Sequence, residues 1–120
     1  MITMDDILNI TCDVIQVSKG NVLLPAKSIN AKKEDIVFAR QVSMTACREL
    51  NLGTLSKIGM FHYRSHCDVI HAIKTVANDI ETDRNRRSIK MQIDERITDY
   101  IKKFGWVPER DYLDDMLDGE

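Results

Sequence analysis

An all-α fold is what this sequence predicts, a bundle of five to six helices. Apolar residues recur every three or four positions in one segment after another. Only 6% of the residues are aromatic, and alternating β-branched runs are scarce. Helix-start signals of the form T-x-x-D and S-x-x-D stand just ahead of periodic stretches. With 120 residues, 43% hydrophobic and 30% charged, the chain suits one modest core and one domain, spanning residues 1–104.

The elements follow in order. Thr3 with Asp6 makes a capping box, and Ile7, Ile10, Val14 and Val17 recur behind it, predicting a helix from Met4 to Gln16. A short helical turn from Ser18 to Leu24 stops at Pro25, and "AKSINAKKED" reads as a polar loop, basic until Glu34. Ile36, Ala39, Val42, Ala46 and Leu50 stripe the next helix, which ends in the turn "NLG". Thr54 caps a shorter helix with Leu55, Ile58 and Phe61 inward. Val69, Ile73, Val76 and Ile80 give the buried stripe of the following helix, leaving His66, Cys67, Ile70, His71 and Lys74 nearer its outer side. A final helix carries Ile89, Ile93, Ile97, Ile101 and Phe104 before Gly105.

Charge is unevenly placed. Phe104 to Glu120 holds six acids against Arg110, a charge of −5, so the other residues carry +3 of the net −2. Residues 105–120 therefore read as an acidic tail, expected to be flexible and solubilising. Between Lys27 and Arg64 seven bases face three acids, a local +4 suited to phosphate. Three cysteines, Cys12, Cys47 and Cys67, form no C-x-x-C and leave one unpaired in any disulfide scheme, as in a reducing compartment. No apolar run approaches membrane-spanning length, and "MITMDDILNI" is acidic where a signal peptide is basic; a cytoplasmic protein is expected, with no membrane contact.

The two helices on either side of "HYRS" have the order of a helix-turn-helix, in which the second helix enters a major groove. That second helix opens on Arg64, Ser65, His66, Cys67 and Asp68. Ser65 and Asp68 form a capping box that needs no ligand, which leaves Arg64, His66 and Cys67 for another purpose.

"FARQVSMTACREL", "TLSKIG" and "RSHCDVIHA", in that order, resemble the C-terminal DNA-binding domain of the bacterial chromosomal replication initiator DnaA, a Trp-repressor-like helix-turn-helix. That family's pattern runs approximately ARQ-x-AM-x-x-A-[KR]-EL, SLPEIG, RDHTTVLHA. "ITMDDILNITCDVIQVSKGNVLL" is similar to its first helix and turn, and the resemblance reaches Lys103. It implies binding to double-stranded DNA. Lys32 and Lys33 stand nearest the position from which the family sends an arginine into the minor groove, an imperfect match. Arg40, Gln41 and Arg48 match phosphate-contacting positions, as does the backbone at Leu55 and Ser56, where a helix begins. Arg64 and His71 match backbone-contacting positions too, and His66 matches the base-reading histidine.

The departures lie in the same stretch. Ser65 stands where the family has Asp, Cys67 and Asp68 where it has two Thr, and the chain is one residue shorter between Gly59 and Phe61. Asp68 is expected to be tied to Ser65, with acceptance from a cytosine amino group as its other use. His62, His66, Cys67 and His71 straddle a turn and a helix start, so no metal site is expected. Cys67 lacks a base and orienter for a nucleophile's role, and neither an enzyme nor a cofactor is expected. No G-x-x-x-x-G-K-[ST] occurs, so the ATPase of full-length initiators is missing. The sequence thus reads as a stand-alone module, nucleoid-associated when bound to DNA, origin-binding or regulatory in replication or transcription. The alternative is a protein-interaction module of the same fold that has lost base readout and acts on a replication or regulatory partner through Tyr112, Leu113, Met116 and Leu117 of the tail.

Overall fold

A computed structural model describes residues 1–105. Among these residues the chain forms six α-helices and one 3₁₀ turn, in the order α1 (Met4–Ile15), α2 (Lys19–Val22), the 3₁₀ turn (Asn30–Lys32), α3 (Glu34–Glu49), α4 (Leu55–Phe61), α5 (His66–Thr82) and α6 (Arg84–Phe104). The expected acidic tail, Gly105 apart, lies outside the described residues.

The caps explain the starts. Thr3 accepts from the Asp6 amide while the Asp6 carboxylate accepts from the Thr3 amide, and Ser65 and Asp68 repeat the arrangement at α5. Ser18, Thr54 and Asp83 cap α2, α4 and α6 through single side-chain bonds.

α3 is the central helix, packed against α1, α2, α4 and α5. Its expected stripe is buried at Ile36, Ala39, Val42 and Ala46, but Phe38, Arg40, Ser43, Met44, Thr45 and Cys47 are buried as well. A one-sided stripe was the expectation; the helix is covered nearly all round because four neighbours share it. Ile7, Ile58, Val69, Val76, Ile93 and Ile97 complete the main core, and Leu8, Cys12, Val22 and Ala39 form a smaller one. Phe104 departs from the predicted stripe of α6, being 57% exposed at the helix's last turn. Cys12 and Cys47 are buried free thiols, pushed up to about 11 and about 12 by burial, whereas Cys67 is exposed.

α6 is fixed by charge as well as by packing. Buried Lys90 donates to Glu49 at the end of α3 and to both oxygens of Asp94. Arg86 bonds Asp79 and Glu34 and lies over the Phe38 ring.

Candidate nucleic-acid interface

α4 and α5 are joined by the four residues His62 to Ser65 and meet at Gly59. A Cβ at Gly59 would lie 2.7 Å from the Arg64 carbonyl oxygen and 2.8 Å from that of Ser65, so only glycine lets the turn close on the helix. The Arg64 amide donates to the Gly59 carbonyl at 2.8 Å, and Tyr63 takes a left-handed conformation with φ 59° to complete the reversal.

His62 locks this turn to the centre of the fold. It is fully buried, its Nδ1 lies 2.7 Å from the Ile58 carbonyl and its Nε2 2.8 Å from Ser43 Oγ on α3. A carbonyl only accepts, so Nδ1 carries the proton and the Ser43 hydroxyl donates to Nε2. Burial, with the nearby Arg40 and Arg64 charges, lowers its pKa to about 4 although the bond to Ile58 opposes this, and the ring is neutral. His62 had entered the sequence reading only as a member of a rejected metal set. Its place one turn beyond inward Ile58 was the available signal.

α5 begins at His66, and its first turn faces outward: His66, Cys67 and Asp68 are exposed, with Cys67 Sγ 3.6 Å from His66 Nε2. Asp68 Oδ2 accepts from both the amide and the hydroxyl of Ser65, at 3.0 Å each. The amide bond from Ser65 and the Arg64 charge, against some burial, hold the Asp68 carboxyl below the usual carboxylate range. This carboxylate is therefore occupied in capping, as the S-x-x-D spacing implies. His71 lies one turn beyond Cys67 on the same exposed side, its Nε2 3.4 Å from Thr75 Oγ1.

Across from His66, a cleft of about 290 Å³ is lined by Arg48, Thr54, Leu55, Ser56 and His66. It joins the end of α3, the start of α4 and the start of α5. The Lys57 amide bonds Thr54 Oγ1, while the amides of Leu55 and Ser56 open the helix without a partner inside it. Gln41 is half-buried on α3. Lys32 and Lys33 are exposed at the end of the 3₁₀ turn and at the start of α3.

Arg40 and Arg64 are placed differently from the other expected contacts. Arg40 is 5% exposed; its Nε donates to the Val22 carbonyl at 2.9 Å and its Nη2 to that of Ala31 at 3.2 Å. The expected phosphate contact at Arg40 meets a guanidinium buried against its own chain. Burial and the Arg64 charge pull it down to about 10, still cationic at neutral pH. Arg64 is half-buried, and its Nη1 donates to the carbonyls of Leu24 and Tyr63 at 3.0 and 2.8 Å. Among the described residues no group of three or more His, Cys, Asp or Glu could hold a metal, and no helix is long and apolar enough to cross a membrane.

Comparison with known proteins points the same way as this geometry. The chromosomal replication initiator protein DnaA of Bacteroides fragilis (strain YCH46) is 33% identical over 88 residues, 72% of this chain and 17% of that protein. That of Streptococcus agalactiae serotype Ia is 39% identical over 82 residues, 65% of this chain and 18% of that protein. That of Streptococcus equi subsp. zooepidemicus is 44% identical over 64 residues, 51% and 14% of the two chains. The chain thus spans less than a fifth of each of these relatives. The model of the family described as "Bacterial dnaA protein helix-turn-helix" matches residues 4–76, the stretch running from the first helix to the buried Val76 of α5. By that match, and by the helix pair closed at Gly59, the chain belongs to the bacterial DnaA helix-turn-helix family.

Proposed function

We propose that this chain binds duplex DNA in a sequence-dependent way and acts in the initiation or regulation of replication, with the start of α5 in the major groove. The observation that carries the reading is the exposed first turn of α5, where His66 and Cys67 face solvent while Ser65 and Asp68 are occupied in capping. Capping accounts for Ser65 and Asp68 and leaves His66 and Cys67 available to meet a base edge. In this reading His66 and Cys67 meet base edges, with Ser65 and Asp68 at the groove mouth. Arg48, Gln41, His71 and the amides of Leu55 and Ser56 meet phosphates, and Lys32 and Lys33 reach the neighbouring groove. The role is binding, with no chemistry performed on the DNA.

Affinity selection from random duplexes at two salt concentrations tests the proposal. An enriched motif at both is expected, and recovery of no common sequence refutes base readout. Arg48→Ala should lower the slope of log affinity against log salt by about one, equally on all sequences; an unchanged slope removes Arg48 from the phosphate set. The −5 charge from Phe104 onward would compete with phosphate. Truncation after Gly105 should then tighten non-specific binding at low salt, and equal affinities dispose of that idea.

A further inference from the structure

The basic loop and the recognition helix come from distant parts of the sequence, yet the fold ties them to each other. From Pro25 to Lys33 the backbone is a chain of turns: the Ser28 amide donates to Pro25, Ala31 to Ser28, Lys32 to Ile29 and Lys33 to Asn30, with bonds of 3.0 to 3.3 Å. Two guanidinium groups hold this stack of turns: Arg40, from the middle of α3, holds the Val22 carbonyl ahead of the stack and the Ala31 carbonyl within it, and Arg64 holds Leu24, next to Pro25. Arg64 is also the residue directly before Ser65, the cap of α5. A single side chain therefore connects the root of the basic loop to the first turn of the recognition helix.

We infer that Arg40 and Arg64 are positioning residues that fix the reach between the Lys32–Lys33 loop and the start of α5, so that the two contacts with one duplex are made together. The inference rests on the DNA-binding reading above. Two contacts held at a fixed span reinforce each other, because the first to form places the second at high effective concentration. A loop free to swing would have to be ordered on binding, and that reinforcement would shrink. Both arginines stand at positions where a direct phosphate contact is the alternative role. The geometry argues against it, since Arg40 is 5% exposed with two nitrogens on internal carbonyls and Arg64 directs Nη1 at Leu24 and Tyr63. The two grips fall two residues apart on the backbone, at Val22 and Leu24.

The test is a double-mutant cycle on the selected duplex, paired with hydrogen exchange of the protein without DNA. Lys32→Ala/Lys33→Ala is measured in the native background and with Arg64→Met, a half-buried side chain outside the apolar core; Arg40→Met is the second background, and each is used where its melting curve shows a folded chain. Positioning predicts coupling: the loss caused by the lysine changes should be about tenfold smaller once either arginine is gone. It also predicts faster exchange at residues 26–33 with α3, α5 and α6 unchanged. Direct phosphate contact predicts losses that simply multiply, and that result overturns the proposal, as does unchanged exchange in the loop. Failure to enrich any duplex refutes the proposed function and the coupling with it, while exchange still decides whether the arginines hold the loop.

Discussion

His62 shows how one residue sets the pH behaviour of the whole turn. Its pKa in the folded chain is about 4, against 6.5 for the ordinary group. As pH falls the unfolded chain takes up the proton first, so the stability that neutral His62 supports is complete above about 6.5 and is lost progressively down to about 4. The loss is bounded at about 3 kcal/mol. Urea midpoints at neutral pH and near pH 4.5 should fall more steeply for the native chain than for His62→Gln, and parallel pH dependences would contradict the neutral, buried ring. His66, four residues on, predicts the opposite signature. It is exposed, so His66→Ala should leave the melting temperature unchanged while costing about 1–3 kcal/mol on the preferred site and much less on unrelated DNA. A lower melting temperature with an unchanged specific-to-nonspecific ratio would sink the recognition-helix assignment. Both histidines stand in the same short polar stretch, and sequence alone could separate them only by register: His62 continues the inward row of Ile58, His66 does not.

The helix-turn-helix as an element depends on a close backbone approach. Alanine at Gly59 would gain up to about 1 kcal/mol of helix propensity, but its Cβ would meet two carbonyl oxygens that cannot move without opening the turn. The clash should win, with a net destabilisation of about 1–3 kcal/mol in urea titration; a stabilised Gly59→Ala would mean that the turn yields. Tyr63→Asn should change stability the other way, by about 1 kcal/mol, because a left-handed φ of 59° suits Asn better than an aromatic residue and the Tyr63 ring is 66% exposed. Elements were legible where local chemistry decides them. The T-x-x-D and S-x-x-D caps and the cap at Thr54 all stand where their spacing placed them. α3 was legible as a helix but not as the centre, because nothing local marks Arg40, Ser43 and Thr45 as buried; their partners are Val22, Ala31, His62 and Gln41. Those partners lie up to 19 residues away or, at Thr45, in the helix's own backbone, and no periodicity reports them.

On the scale of the molecule, α6 closes the bundle through Lys90, 4% exposed between Glu49 and Asp94. Burial opposes its charge, but the two carboxylates outweigh burial and raise its pKa above 10.5. The stability that a raised lysine pKa contributes is fully present below the unfolded value and is lost as pH rises through the folded one, so the lysine is charged and the pair intact at neutral pH. Replacing it with an apolar chain of similar length should still cost little, since both acids are about half exposed and can be hydrated. Lys90→Met is expected within about 1 kcal/mol of native by urea titration, with Lys90→Ala lower by about 1–2 kcal/mol from lost stem packing. A Met variant as unstable as the Ala variant would show that the ion pair itself holds α6. The ends of the domain meet beside this helix. Asp6 near the start of α1 lies beside Tyr100 near the end of α6, and Asp13 further along α1 pairs with Arg96 further back. The two helices therefore run antiparallel, and α6 finishes close to where α1 starts. The path of the chain is nearly a ring. A linker of a few residues from 104 to 1 would seal it, and a break between Thr82 and Asp83 would make α6 the leading helix of a circular permutant that keeps every helix pairing and leaves α1 through α5 uncut.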